Sequence, residues 1–110
     1  MADKEHLLGA LSEVLAERRG ADPDASYTAR LLADGTAAIL AKIEEESGEV
    51  IDAAGADDDA HLIHEIADLW FHTLVLLTHR RLSADDVLAE LGRRFGMSGL
   101  AEKAARQRQG

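Results

Sequence analysis

The chain contains no cysteine and a single proline among its 110 residues. Without thiols there is no disulfide, no thiolate metal site and no cysteine nucleophile, so any bound metal must be held by oxygen or imidazole groups. Aromatic residues make up only 4% of the chain, and β-branched runs are short. This composition favours helices over strands, and we expect an all-α fold, a bundle of four to five helices.

Basic residues are also scarce, since 12 Lys and Arg stand against 21 Asp and Glu, for a net charge of −9. That balance disfavours binding to nucleic-acid backbones, which requires basic side chains that release counterions. No apolar stretch is long enough to span a membrane or to serve as a signal peptide. We expect a cytoplasmic protein whose partner is a small molecule, phosphorylated only if a divalent cation bridges it to carboxylates.

Apolar residues recur at helical spacing along most of the chain. A first helix ends before Gly20, a short second helix is capped by Ser26, and a last clear helix opens with a capping box at Ser83. The tail, residues 96–110, is polar and basic, and its sequence fits a short helix as well as a flexible segment. No linker divides the chain, so we expect one domain, residues 1–110.

Two longer helices lie between these elements. One is predicted to be capped by Thr36 and to run to about Ala54, and the next to run from about Ala60 to His79. Residues 69–77 of the later helix are apolar nearly all round, which indicates burial in a bundle core or a subunit interface. We therefore expect a homodimer to complete the bundle.

The acidic residues of these two helices lie on and beside apolar faces, where charges are costly unless they are compensated. Glu46 falls in the middle of the apolar stripe that contains Ile39 and Val50, and Glu49 borders it. One acid inside an apolar stripe is hard to explain as an ordinary solvated charge.

The next helix carries a second acidic pair at the same spacing. Glu65 and Asp68 flank its buried stripe, and a short connection, residues 55–59, indicates an antiparallel hairpin in which the two pairs converge. Four crowded carboxylates repel each other unless they coordinate a hard cation. Mg²⁺ prefers oxygen ligands and commonly bridges carboxylates to phosphates, so the pattern predicts a Mg²⁺ site.

Two acidic segments are similar to motifs of a known superfamily. Residues 42–50, KIEEESGEV, resemble the E-E-x-x-E element of the all-α nucleoside triphosphate pyrophosphatases, and residues 65–68, EIAD, resemble its E-x-x-D partner. Within that superfamily, the resemblance is to the phosphoribosyl-ATP pyrophosphatases, and three further segments carry it: 26–32, 67–77 and 82–91. One departure is Gly48, where relatives often have alanine.

The resemblance implies Mg²⁺-dependent hydrolysis of phosphoribosyl-ATP to phosphoribosyl-AMP and pyrophosphate, a step of histidine biosynthesis, by a dimer or larger assembly. Carried over residue by residue, it implies Glu46, Glu49, Glu65 and Asp68 as metal ligands. Glu45, Glu46 and Glu49 become the catalytic residues, with Glu45 orienting the attacking water or holding a second metal.

Three further side chains are candidates for substrate binding. Lys42 and Arg30 could reach a phosphate, although an ion pair of Lys42 with Glu46 explains its position equally well. His72 falls on the same side of its helix as the acidic pair, so that it either hydrogen-bonds a ligating carboxylate or is a satisfied core histidine.

Two alternative functions fit part of the pattern. A broad housecleaning nucleoside triphosphate pyrophosphatase would share the acidic pairs but not the segments 26–32 and 82–91. A non-enzymatic helical dimerisation module would use the acids for solubility alone and would bind no Mg²⁺. A di-iron bundle is disfavoured, because it requires Glu-x-x-His pairs, and Asp68 stands at the position of that histidine.

Overall fold

The computed structural model describes residues 6–96. Within that range there are five helices and no strand, which confirms the predicted all-α fold. In chain order the helices are α1 (Leu7–Glu17), α2 (Tyr27–Asp34), α3 (Thr36–Gly55), α4 (Asp59–His79) and α5 (Ala84–Arg94). None of these helices is both long enough and apolar enough to cross a membrane. The predicted tail lies outside the described residues, apart from Gly96.

The two long helices, α3 and α4, pack against each other as the predicted hairpin. The Asp58 carboxylate accepts a hydrogen bond of 3.1 Å from the backbone N–H of His61 and so caps α4. The predicted helix end at about Ala54 is confirmed to within one residue, since α3 includes Gly55 as its last residue. The chain turns at Asp57, whose φ of 59° lies in the left-handed region that aspartate tolerates better than most residues.

A single glycine connects α2 to α3. Gly35 has a φ of 93°, and its N–H closes α2 on the carbonyl of Leu31 at 3.0 Å. The prediction that Thr36 is the N-cap of α3 was wrong, since Gly35 takes that position and Thr36 is already helical. The predicted cap of α2 is confirmed, because Ser26 Oγ accepts from the backbone N–H of Ala29 at 3.2 Å.

All five helices contribute to one apolar core. Its buried members are Leu15, Leu31, Ile39, Leu74, Val75 and Ala84. On the hairpin, Ile39 lies near the start of α3 and Val75 toward the end of α4, at the end opposite the turn. The core therefore holds the hairpin at one end, and the acidic residues Glu46 and Glu65 lie between the core and the turn.

The apolar segment of α4 is buried on one side only within a single chain. Leu74 and Val75 are buried, whereas the indole of Trp70 is 58% exposed. Between α4 and α5 lies an open groove of about 290 Å³, which we call the apolar groove; it is lined by Leu8, Trp70, Thr73, Leu74, Leu77, Ala84, Val87, Leu88 and Leu91.

Candidate active site

Three carboxylates from the two long helices meet at the centre of the hairpin. Glu46 and Glu49 project from α3 and Glu65 from α4, and one oxygen of each lies within 4.8 Å of the others. We call these three residues the acidic trio. Glu46 and Glu65 are each only 6% exposed, and Glu49 is half-buried. The periodicity of α3 therefore placed Glu46 correctly inside the apolar stripe.

Asp68, the fourth predicted ligand, belongs to a neighbouring group rather than to the trio. Its carboxylate, that of Glu65 and the imidazole of His64 lie within 4.8 Å of one another, and we call this set the His64 group. His64 Nε2 is 3.4 Å from Asp68 Oδ2. The four carboxylates form two overlapping groups that share Glu65, and Asp68 is also close enough to Glu46 to raise its pKa, so the predicted ligand set of four stays a prediction.

The three carboxylates of the trio perturb one another's pKa values. Burial, together with hydrogen bonding to Glu49, raises the pKa of Glu46 from 4.5 to about 7. Hydrogen bonding to Glu49 and then burial raise the pKa of Glu65. Hydrogen bonds from Glu65 and Glu46 lower the pKa of Glu49. Crowding of the three carboxylates therefore raises the pKa of the two buried members and lowers that of the half-buried Glu49.

Two oxygens of the trio have no partner. Glu46 Oε2 and Glu65 Oε2 are buried and make no hydrogen bond with any residue that the structure describes. An unsatisfied buried carboxylate oxygen carries a desolvation cost that a bound cation would offset. A donor set of carboxylate oxygens alone is the set that Mg²⁺ prefers, so the residues fit this ion.

Lys42 and Glu45 lie on α3 beside the trio but outside it. Lys42 Nζ donates to Glu45 Oε2 at 2.9 Å, and this hydrogen bond raises the pKa of the lysine. The sequence indicated Glu46 as its ion-pair partner, which was wrong because Glu46 is buried in the trio and Glu45 is exposed. The predicted roles of Lys42 at a phosphate and of Glu45 at the attacking water stay predictions.

His72 connects α4 to α2 through two short hydrogen bonds. Its Nδ1 lies 2.8 Å from the backbone carbonyl oxygen of Asp68, and its Nε2 lies 2.8 Å from the hydroxyl of Tyr27. The expected hydrogen bond to a ligating carboxylate is therefore replaced by one to a backbone carbonyl, one helical turn away on α4. Because a carbonyl only accepts, Nδ1 carries a proton, and a neutral ring then accepts the Tyr27 O–H at Nε2.

The sequence analysis missed Tyr27, the only tyrosine of the chain. Tyr27 is 44% exposed and is close enough to Glu46 for that carboxylate to influence its pKa. Burial of the remainder raises its pKa, Lys42 and Arg30 oppose that rise, and Glu46 reinforces it. Arg30 is exposed on α2 and is close enough to act on Tyr27 electrostatically. A single tyrosine next to the N-cap of α2 belongs to no periodic pattern, so the sequence did not indicate it as a site residue.

Two histidines were also missed as members of the site. His61 Nε2 lies 3.6 Å from Glu65 Oε1, and His64 contacts Asp68 as described above. Each histidine precedes its acid by four residues, which is the spacing of neighbours on a helix surface. That spacing is visible in the sequence. Both histidines lie near the exposed start of α4, a position that favoured interpreting them as ordinary surface residues.

Comparison with known proteins identifies a family and relatives that match most of the chain, including both acidic motifs. The sequence profile of the phosphoribosyl-ATP pyrophosphohydrolases matches residues 8–95, a range that contains the acidic trio and the His64 group. A protein of Neisseria gonorrhoeae named phosphoribosyl-ATP pyrophosphatase is 54% identical over 102 residues, covering 93% of this chain and 95% of that protein. Proteins of the same name from Aromatoleum aromaticum and Trichlorobacter lovleyi are 54% and 50% identical over 91% and 97% of this chain, covering 93% and 99% of their own lengths.

Proposed function

Since the chain belongs to the phosphoribosyl-ATP pyrophosphohydrolase family, we propose that it hydrolyses phosphoribosyl-ATP to phosphoribosyl-AMP and pyrophosphate in a Mg²⁺-dependent reaction. We assign this reaction to histidine biosynthesis and to the cytoplasm. The acidic trio is the observation that carries the metal requirement, because two of its buried oxygens have no partner in the described part of the chain. A protein of net charge −9 also needs a cation at the point where it receives a polyphosphate.

Glu46, Glu49 and Glu65 would hold the ion, and Asp68 would act beside them through the shared Glu65. When bound, Mg²⁺ would neutralise phosphate charge and stabilise the departing pyrophosphate. Glu49, whose pKa is lowered, loses its proton more readily than the other two members of the trio, which suits it to act as a ligand. Placing these groups on two packed helices fixes their separation before substrate arrives.

Lys42 and Glu45 form an ion pair on α3 that is accessible to solvent, and we propose that substrate approaches from this side. Lys42 Nζ has three donors, so it can bond a phosphate oxygen while it keeps Glu45. Glu45 would then accept a proton from the attacking water and orient the lone pair of the water oxygen toward phosphorus. No covalent intermediate is required for this hydrolysis.

On α2, Tyr27 is proposed to contact the nucleoside of the substrate and Arg30 a phosphate. We propose that His72 acts on the substrate through Tyr27. Its Nε2 accepts a hydrogen bond from the Tyr27 O–H, which leaves the lone pairs of the phenol oxygen to accept a hydrogen bond from the substrate. Arg30 is exposed and suited to a bidentate phosphate contact. His72 is therefore proposed as a positioning residue rather than as a direct substrate ligand.

We also propose that a second copy of the chain covers the apolar groove, giving a homodimer. Trp70, Val87, Leu88 and Leu91 leave an apolar surface open between α4 and α5. A contiguous exposed apolar surface is typical of an interaction site on a small domain. Two copies that pack these surfaces together would bury the side of α4 that one chain leaves uncovered.

Pyrophosphate release from phosphoribosyl-ATP, measured beside dATP and dUTP with and without Mg²⁺, tests the proposal. Turnover of phosphoribosyl-ATP that needs Mg²⁺ and exceeds that of the simple nucleotides is the expected result. Preference for dATP or dUTP would overturn the substrate and support the housecleaning class. No turnover of any substrate would overturn the enzyme proposal and support the dimerisation module.

A further inference from the structure

We propose that the second copy of the chain packs its α4 antiparallel to α4 of the first, about a two-fold axis that passes close to Trp70. Ile63 of each copy then lies in the apolar groove of the other. The inference rests on the homodimer proposed above, and it adds the helix, the direction and the register of the contact. It depends neither on the substrate nor on the metal.

A line of exposed and half-buried side chains runs along α4 from its first residue to its C-cap. Its members recur at alternating steps of four and three residues, the spacing that keeps side chains on one helix face over several turns. Ile63 is 69% exposed and Trp70 is 58% exposed, although both are large and apolar. We call this line the α4 stripe; it consists of Asp59, Ile63, Ile66, Trp70, Thr73, Leu77 and Arg80.

The α4 stripe carries opposite charges at its two ends. Asp59 is the first residue of α4 and Arg80 is its C-cap, and both are exposed. Neither makes an ion pair with any residue in the described range 6–96. Trp70 lies midway between Ile63 and Leu77 in the sequence, and almost midway between the two charged ends. A two-fold axis at Trp70 therefore brings the acid of one copy to the base of the other.

This symmetry is what a second copy of the same chain requires. A two-fold dimer uses the same surface on both copies, so that surface must be complementary to itself when its direction is reversed. On reversal of the α4 stripe, Asp59 meets Arg80 and Ile63 meets Leu77. A partner of different sequence would need no such correspondence between the two halves of one helix.

The position of the apolar groove selects the antiparallel direction. Trp70 and Leu77 line the groove beside the C-terminal half of α4, whereas Ile63 lies on the N-terminal half and outside the groove. In an antiparallel pair, the N-terminal half of each α4 lies against the C-terminal half of the other, so Ile63 packs into the groove as a knob into a hole. A parallel pair would leave the groove open and would bring like charges together at both ends.

Disulfide trapping in the full chain tests the direction and the register, because the chain has no cysteine of its own. In the proposed pair, Ile63 of one copy and Ile63 of the other are about 21 Å apart along the helix axis, too far for a disulfide. We expect Ile63→Cys alone to form no covalent dimer under mild oxidation, and the double variant of Ile63→Cys with Leu77→Cys to form one. Within one chain these two positions are also about 21 Å apart, so the bridge can only join two copies.

Reversal of the terminal charges gives a second readout that leaves the apolar contact intact. We expect Asp59→Arg alone and Arg80→Asp alone each to raise the Kd of the dimer by about 5-fold or more, because each places like charges together at two points of the dimer. The double variant exchanges the two charges and should restore the Kd of the wild type. Sedimentation equilibrium measures all four proteins.

The outcomes separate this arrangement from the dimer itself. A covalent dimer of Ile63→Cys alone would show a parallel pair, and a dimeric double-cysteine variant without a disulfide would place the contact elsewhere. Either result would overturn the arrangement and leave the homodimer, as would a charge exchange that binds no tighter than the single reversals. A wild type that sediments as a monomer would overturn the homodimer together with the arrangement. Turnover of phosphoribosyl-ATP affects none of these readouts, so a failure of the proposed substrate is distinguishable from both.

Discussion

Glu46 is the buried carboxylate on which the proposed chemistry depends most directly, because its Oε2 has no hydrogen-bond partner among residues 6–96 and is proposed to bind the cation. We expect Glu46→Gln, which keeps the shape of the side chain, to lower Mg²⁺-dependent turnover of phosphoribosyl-ATP by at least about 100-fold. Steady-state pyrophosphate release measures the effect. Glu44→Gln is the matched control, since Glu44 is an exposed acid on the same helix. Comparable losses in both variants would contradict a specific role for Glu46.

The protonation of Glu46 predicts how stability depends on pH in metal-free protein. Its folded-state pKa of about 7 lies above the ordinary 4.5, so between these values the folded chain holds a proton that the unfolded chain releases. The free energy of unfolding therefore falls as pH rises through this window. The raised pKa of Glu65 acts in the same direction, and the lowered pKa of Glu49 opposes both.

Glu46→Gln removes the main contribution to this dependence. We expect the fall in unfolding free energy between about pH 5 and about pH 8 to shrink by roughly 1–3 kcal/mol in the variant. Urea denaturation with a chelator present measures it, and Glu44→Gln again serves as the control. An equal pH dependence in wild type and Glu46→Gln would rule out a buried, protonated Glu46.

The hydrogen bond between Tyr27 and His72 predicts coupled effects of their substitution. Tyr27→Phe removes only the hydroxyl and leaves His72 Nε2 without its partner, so we expect a loss of roughly 1 kcal/mol in stability. A double-mutant cycle with His72→Leu should give a coupling free energy of about 1 kcal/mol. Because the phenol is proposed to contact substrate, KM should also rise in Tyr27→Phe. Additive effects on stability would show that this hydrogen bond contributes nothing.

At the scale of the helices, two glycines predict opposite effects of the same substitution. Gly35 has a φ of 93° between α2 and α3, where an L-residue is strained, whereas Gly48 is helical in α3 and an added Cβ there meets nothing within 4 Å. We expect Gly35→Ala to destabilise the protein by about 1 kcal/mol or more, and Gly48→Ala to stabilise it by roughly 0.5–1 kcal/mol. Thermal or urea unfolding of both variants checks the pair, and a shift of the same sign in both would contradict the assignment.

The helices and several of their ends could be predicted from the sequence because periodicity and caps act locally. Ser26 caps α2 and the Ser83 backbone N–H bonds Asp86 at 2.9 Å, as the capping patterns indicated. Glu46 inside an apolar stripe was visible for the same reason, since a helix fixes the direction of every side chain. The N-cap prediction at Thr36 failed because Gly35 is both the C-cap of α2 and the N-cap of α3. Capping patterns describe one helix at a time and do not predict a shared cap.

The contacts of individual side chains could not be predicted in the same way. His64 and Asp68 are neighbours on α4 by their spacing alone, whereas the packing of α4 against α3 decides that Glu65 joins Glu46 and Glu49. Lys42 can reach either neighbouring glutamate, and burial of Glu46 decides for Glu45. His72 bonds α2 through Tyr27, a partner 45 residues away, which periodicity along one helix does not encode.

At the scale of the whole molecule, charge and apolar surface are separated. The proposed catalytic residues lie along the centre of the hairpin, whereas the apolar groove lies between α4 and α5. Because α4 carries residues of both, packing of a second chain against the groove would hold the helix that presents Glu65 and the His64 group. The proposed dimer would thereby stabilise the site.

Substitution within the apolar groove tests this dimer. Light scattering of the wild type should give twice the mass of the chain, and Leu88→Glu should shift it toward the monomer. Each of the two copies then buries an unpaired charge in the interface, at a cost of roughly 3 kcal/mol, or about 100-fold in Kd, per charge. Ala89→Glu adds the same charge to the next position of α5, which is exposed and does not line the groove, and should leave the mass unchanged. Leu88 is already 44% exposed in one chain, so Leu88→Glu should keep its helical circular dichroism. A wild type that stays monomeric at high concentration would contradict the dimer. A Leu88→Glu variant that remains dimeric would show that the interface does not lie at the apolar groove.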